Sequence, residues 1–188
     1  MKLIEEQIFK NKDFSNNKLE TAEYDSCTFS NCNFANVDLS RIKFLDCSFT
    51  DCDLSLIKIS ETAFKEVEFE NCKILGVQFN HCNSFLFATH FNNCLLNLSS
   101  FFQINLKKSS FKNCSLQEVD FSEANLEAVN FNDCNLDLAI FENTNLSKTD
   151  FRTSGNYNID LRNNNCKKAK FSKENITGLL KGFDIIIE

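Results

Sequence analysis

The side chains best suited to chemistry in this chain are ten cysteines and two histidines among 188 residues. Cys27 with Cys32, and Cys47 with Cys52, have four residues between them, a spacing that zinc sites use. His81, Cys82 and His90 lie within ten residues of one another and offer a thiol beside two imidazoles, the parts of a nucleophile and its base. A slip of the repeat frame exposes polar residues at this point in any case, so the bland reading is a local bulge. The four glycines are Gly76, Gly155, Gly178 and Gly182. Neither a GxGxxG dinucleotide turn nor a GxxxxGK[ST] phosphate loop can be written with them, which excludes the common nucleotide enzymes.

The placement of the cysteines decides how they are read. From Phe9, steps of five residues reach Phe14, Leu19, Tyr24, Phe29 and Phe34, and the large apolar centres continue to Phe79. The step resumes at Phe91 and runs through Leu96, Phe101 and Leu106 to Phe171, with only Asn156 and Cys166 off pattern. Two residues before each centre lies a smaller side chain, and nine of the ten cysteines occupy this position. Free cysteine is a compact, weakly polar residue that is commonly buried. The expectation is therefore reduced core thiols in a cytoplasmic protein, with no metal, no cofactor and no catalytic centre.

A five-residue period matches neither helix nor strand. It matches a coil whose every side sends two residues inward, a large centre and the small residue two before it. Four sides make a square turn of twenty residues, and turns stacked at the strand spacing of ~4.8 Å bond backbone to backbone. The 32 pentapeptides give eight coils and a rod of roughly 40 Å. With no proline in the chain, corners are expected to turn by a repeated, unstrained geometry. Residues 1–82 form a first stack, 83–90 an interruption where the frame slips by two, 91–171 a second stack, and 172–188 a C-terminal extension. Phe85 and Phe87 are expected to cover the interruption.

Ser172 suits a helix N-cap and Gly182 a stop, so a short helix is expected over Lys173–Lys181, closing the end of the rod. Phe183–Ile187 reads as a strand without an internal partner. Leu179, Leu180, Phe183, Ile185 and Ile187 are the candidate surface of a C2 homodimer. No apolar run approaches the roughly 20 residues that cross a bilayer. Met1–Phe14 carries Glu5, Glu6, Lys10, Lys12 and Asp13 among its apolar residues and has no signal-peptide core. Asn-x-Ser/Thr sequences at Asn97, Asn113, Asn145 and Asn175 follow from the composition of the turns.

Segments such as Val119-Asp120-Phe121-Ser122-Glu123 and Ala124-Asn125-Leu126-Glu127-Ala128 resemble the pentapeptide-repeat family over Phe9–Phe171. The resemblance implies an all-β fold, a right-handed quadrilateral β-helix. The ending is similar to the dimerising C-terminus of the Qnr-type quinolone-resistance proteins, MfpA and the albicidin-immunity protein. Cys52–Ile59, Thr62–Val67, Cys72–Val77 and Asn156–Asp160 look like the corresponding coils of the last. Those relatives bind DNA gyrase, and often topoisomerase IV, as dimeric rods whose negative surface imitates duplex DNA, and they inhibit the enzyme or protect it from poisons. What the resemblance implies here is a topoisomerase partner and a homodimer, without direct contact with nucleic acid or membrane.

A mimic of DNA needs acids along an exposed face. The side centred on Phe101, Phe121, Phe141 and Leu161 carries Asp120, Glu123, Glu142 and Asp160, offset by Arg162. These four are the candidate partner-binding residues. The next side carries Lys107, Lys108, Lys148, Lys167 and Lys168 against Glu127. In the first half Asp51, Glu68 and Glu70 cluster on the Phe9 side, which does not run into the acidic face. The net charge is only −6. The alternative is an interaction scaffold without topoisomerase activity that uses the outward residues Leu56, Leu75, Leu95, Leu98, Phe102 and Leu138.

Overall fold

The computed structural model describes residues 1–183, 185 and 186. Among these residues, alternating inward centres and outward polar residues produce eleven short strands, all paired in parallel. One sheet stacks β1 (Leu3–Glu5), β3 (Glu23–Asp25), β5 (Lys43–Leu45) and β7 (Ala63–Lys65). The other contains β2 (Ile8–Lys10), β4 (Thr28–Ser30), β6 (Ser48–Thr50), β8 (Val67–Glu70), β9 (Thr89–Asn92), β10 (Ser110–Lys112) and β11 (Phe131–Asn132). Neighbours in a sheet are one turn apart, Phe29 facing Phe49 and Phe91 facing Phe111. The remaining sides bond through single bridges of the same register, such as Asp53 with Lys73 and Asp120 with Ile140. The result is a right-handed quadrilateral β-helix.

The core is a set of side-chain ladders. Phe9, Phe29, Phe49, Phe69, Phe91, Phe111, Phe131, Phe151 and Phe171 stack face to face, neighbouring centroids 4.7 to 5.4 Å apart. Each ring marks one level of the rod, from level 1 at Phe9 to level 9 at Phe171. Rings on adjacent sides meet edge to face, as Phe101 does with Phe111 at 5.8 Å and 84°. Both arrangements suit the aromatic quadrupole.

The frame slip is a two-residue insertion on one side of one turn. Phe69 faces Phe91, Lys73 faces Leu95 and Gln78 faces Ser100, each 22 residues on. Asn83 still pairs with Ala63, and the Ala88 N–H donates to the Phe64 carbonyl at 3.1 Å. The extra residues therefore lie between them. Phe87 fills the inward position, edge-on to Phe64 and Phe79. Phe85 does not cover the gap: it stands 78% exposed, beside Leu86 at 48%.

The corners differ from expectation. Among the described residues, twenty-six other than glycine have positive φ, from +50° to +64°, and they recur two places after the centres. Each departs from the usual L-residue preference at a cost of roughly 1 kcal/mol, so the chain turns by repeated strain. Eight of the 26 are Asn, which tolerates this region better than most. The compensation is that most corner N–H groups are bonded to the next turn, as Leu56 N–H is to the Leu75 carbonyl at 2.9 Å.

The small inward position has a rule that period alone does not reveal. Where the residue is Cys, its side chain in most cases donates to the carbonyl of a centre in the turn below. Cys52 Sγ–H reaches Phe29 O at 3.5 Å, Cys72 reaches Phe49 O at 3.3 Å, and Cys94 reaches Phe69 O at 3.4 Å. Where the residue is Ser or Thr the bond shortens, as from Thr62 to Leu39 O at 2.8 Å and from Ser154 to Phe131 O at 2.7 Å. A small donor is therefore favoured, and Cys, Ser and Thr supply it without leaving a buried polar atom unpaired.

At the C-terminal end Asn156 turns outward with φ +62°, and Tyr157 takes the inward place. Ile159 is then buried and Leu161 is 42% exposed, so Leu161 is not a core centre. The helix expected over 173–181 is replaced by two 3-10 turns, Ile176–Leu179 and Lys181–Phe183. Two glycines at 178 and 182 weaken a longer helix. Gly178 has a second reason to be glycine: a Cβ there would come 2.2 Å from Tyr157 O. That close approach lets the Ile159 N–H donate to Gly178 O at 3.0 Å, which ties the turn to the rod.

Candidate functional site: charged faces and the C-terminal end

The cysteine–histidine trio does not assemble a nucleophile. Cys82 is buried, and burial pushes its thiol up to about 12. The His90 ring lies against Ser110 Oγ at 3.0 Å and Glu66 at 3.5 Å, whereas His81 is exposed at a corner. Among the described residues no group of three His, Cys, Asp or Glu could hold a metal ion. All nine cysteines of the small position are buried, and Cys166 is half-buried. No described helix is long and apolar enough to cross a membrane.

The acidic residues of the second half are placed by the levels that carry them. Asp120 and Glu123 flank Phe121 on level 6, and Glu142 follows Phe141 on level 7. The Asp120 carboxylate accepts the Ser122 N–H at 2.9 Å, and Glu123 accepts from Gln103 Nε2 at 2.8 Å. Glu142 is exposed. Asp160 is set apart, on the irregular turn that follows Tyr157. Arg162 grips it with Nε at 2.9 Å and Nη2 at 2.7 Å. These bonds hold the Asp160 carboxyl down at about 2. A charge clamped in this way is largely cancelled at a distance, so the acidic face rests on Asp120, Glu123 and Glu142.

Two further acids belong to this flank. Glu118 lies at the corner beside Asp120, and its N–H donates to the carbonyl of Asp137 in the next turn at 2.9 Å. Level 6 then carries three carboxylates and level 7 two, counting Asp137 with Glu142. Duplex DNA carries one charge per ~1.7 Å of axis, or about three per 4.8 Å level. Over these two levels the density of negative charge on this flank approaches that of DNA. The corner position of Glu118 is the signal that sorting by sides overlooked.

The neighbouring Lys-bearing side is braced internally. Glu127 bonds both Lys107 and Lys148, and these two hold its carboxyl at about 2. Of the outward apolar residues, Leu56, Leu98 and Leu138 share one corner column and are 57%, 59% and 63% exposed. Gly76 and Glu118 alternate with them, so they form no continuous stripe. Leu138 and Ile140 border a depression of about 420 Å³ that Glu142, Asp160 and Lys181 also line.

The C-terminal residues divide into two sets. Leu179, expected on a pairing surface, is 8% exposed and packs into the chain's own core. Leu180 is half-buried, while Phe183, Ile185 and Ile186 are 46%, 55% and 89% exposed. Ile185 and Ile186 are in neither helix nor strand. Ile187, the last candidate of the expected strand, lies outside the described residues.

A family model described as pentapeptide repeat region matches residues 22–101 and 84–154. The chain belongs to the pentapeptide-repeat family. Among solved structures it is similar to QnrB1, described as a plasmid-mediated fluoroquinolone resistance protein. The trypsin-treated form superposes with a TM-score of 0.63 at 17% identity, covering 97% of this chain and 99% of that one. The full-length form gives 0.57 at 16% identity, over 97% and 100%. HetL of the cyanobacterium Nostoc sp. strain PCC 7120, a pentapeptide-repeat protein involved in regulating heterocyst differentiation, gives 0.54 at 16%, over 91% and 86%. At these identities the likeness is one of fold. No curated protein matches the chain.

Proposed function

We propose that this pentapeptide-repeat rod binds a type II topoisomerase, DNA gyrase or topoisomerase IV, in the groove that normally grips duplex DNA, and so counters poisons of that enzyme. The observation that carries the reading is how closely the carboxylate density on levels 6 and 7 approaches the phosphate density of a duplex. The structural likeness to QnrB1 supports the same class of partner. Pairing of two rods through the exposed Phe183 and Ile185 would bring two acidic flanks to the middle of a longer rod, where a two-fold symmetric enzyme holds its DNA. The rod contributes shape and charge, and no bond is made or broken on it.

The test is a gyrase supercoiling assay with and without a quinolone or albicidin. The wild-type chain is expected to inhibit or to protect, with an effect that falls steeply as salt is added, because each mimicked phosphate contact is ionic and screened. Asp120→Lys, Glu123→Lys and Glu142→Lys together should abolish the effect and leave the fold intact. Absence of both inhibition and protection at tens of micromolar overturns the proposal. The interaction-scaffold reading, centred on Leu138 and Ile140 beside the 420 Å³ depression, then takes its place.

A further inference from the structure

The side of the rod that starts at Ile4 and Tyr24 has a charge pattern that the acidic-face reading leaves unused. Its inward positions are Ile4, Tyr24, Phe44, Phe64, Phe87, Leu106, Leu126, Leu146 and Cys166, one per level. On levels 1 to 4 its outward residues include Glu5, Glu6, Glu23, Asp25, Asp46 and Glu66 against Lys43 and Lys65. On levels 6 to 9 they include Lys107, Lys108, Lys148, Lys167 and Lys168 against Glu127. One half of this side is therefore acidic by four charges and the other basic by four. The change of sign falls at level 5.

Level 5 is where the two-residue insertion sits. Phe85, 78% exposed, and Leu86 project from this side at its midpoint. Beside them a depression of about 210 Å³, lined by Ser84, Leu86, Phe87, Asn105, Lys107 and Lys108, has room for one aromatic ring. Among the described residues Phe85 is the most exposed phenylalanine, and with Leu86 it makes a contiguous apolar projection beside this hollow.

We infer that this side docks a second copy of the chain, antiparallel, about a two-fold axis through level 5. An isologous contact places level k of one copy opposite level 10 − k of the other. Glu5 and Glu6 on level 1 then face Lys167 and Lys168 on level 9. Glu23 and Asp25 on level 2 face Lys148 on level 8, and Glu66 on level 4 faces Lys107 and Lys108 on level 6. The same rotation brings the exposed Phe85 of the two copies together at the centre, beside the two depressions. An aromatic anchor at the centre with complementary charge around it is the arrangement of a specific interface. Among the described residues, Glu5, Glu6, Lys108, Lys167 and Lys168 make no salt bridge within the chain, so they are free to make one across it. A parallel or end-to-end arrangement satisfies none of these pairings.

This contact is independent of any topoisomerase and of pairing through the C-terminus, and cross-linking separates them. In an end-to-end dimer joined at the C-termini, Glu5 and Glu6 lie a whole rod, roughly 40 Å, from the junction. Zero-length carbodiimide coupling on a mixture of isotopically light and heavy full-length protein at low salt is expected to join Glu5 or Glu6 of one copy to Lys167 or Lys168 of the other. Sedimentation should show the association weakening as salt rises. Phe85→Asp, on an exposed loop, should weaken it about tenfold or more without altering the fold. Lys167→Glu with Lys168→Glu should do the same, and Glu5→Lys with Glu6→Lys in that background should restore it. A monomer at micromolar concentration in low salt, cross-links confined to C-terminal segments, or failure of the restoring pair overturns the inference. So does binding of a short DNA duplex by the lysine half without self-association.

Discussion

Arg162 holds Asp160 in a forked pair and lays its guanidinium over the ring of Phe183, 5.0 Å from the centroid. One side chain thereby silences an acid beside the proposed binding face and positions Phe183, the first exposed residue of the proposed pairing surface. Arg162 also donates to Gly182 O at 3.4 Å. The acidic face and the C-terminal end are joined at this residue.

Arg162→Ala is expected to release both. The Asp160 carboxyl should rise from about 2 toward the ordinary ~3.9, followed by NMR titration of its side chain. Because the folded value is depressed, the pairing stabilises fully above pH ~3.9 and is lost as pH falls through about 2. The same variant gains a free carboxylate on level 8, so protection of gyrase should strengthen. An unchanged Asp160 titration would refute the clamp.

Thiol reactivity should divide the cysteines nine to one. Cys166 is half-buried, while the others are buried and most donate to carbonyls of the turn below. Burial pushes Cys47 up to about 12, which leaves almost no thiolate at neutral pH. A disulfide reagent is expected to label Cys166 first, the rest at the rate of unfolding, and all ten in denaturant. Stoichiometric zinc, or fewer than ten thiols under reducing conditions, contradicts this.

The phenylalanine ladder predicts position-dependent losses. Phe111 is sandwiched between Phe91 and Phe131, and Phe111→Ala should cost about 3 to 5 kcal/mol in denaturant unfolding. Phe9 is half-buried and has only one face covered, so Phe9→Ala should cost roughly half as much. Equal losses would mean that the rings do not stack as a ladder.

Removing residues 183–188 tests the C-terminal surface. In about 0.5 M salt, where charge pairing along the rod is screened, the shortened chain should sediment as a monomer and the full chain as a dimer. Gly178→Ala should act in the same direction by pushing the 3-10 turn away from Tyr157 O. A full-length monomer at micromolar concentration under these conditions removes the C-terminal pairing.

The core was legible in the sequence because each inward position carries its own chemistry. The spacing of Phe9, Phe29 and Phe49 fixes which residues stack, and the two-residue slip between Phe79 and Phe91 reappears as the 22-residue register. What the spacing could not show are features that depend on two turns at once. The left-handed corners at Leu56 and Glu118 are strained alone and acceptable only once bonded to the turn above. The exchange of Asn156 for Tyr157 depends on the C-terminal turn pressing Gly178 against it. The Arg162 clamp needs a bend that Leu161, apolar and in step, gives no reason to expect.

The sorting of ring types among the sides bears on how such a chain finds its fold. Sliding the strand by five residues would keep every centre inward, but it would set leucines on phenylalanines and break the unbroken stack from Phe9 to Phe171. A slide of twenty would restore like upon like and be nearly degenerate with the native alignment. The 22-residue turn removes that degeneracy, since only Asn83–Ala88 can supply the two surplus residues. The chain thus carries an internal origin from which its turns are counted, and a molecule threaded one turn out would have to bury Phe85.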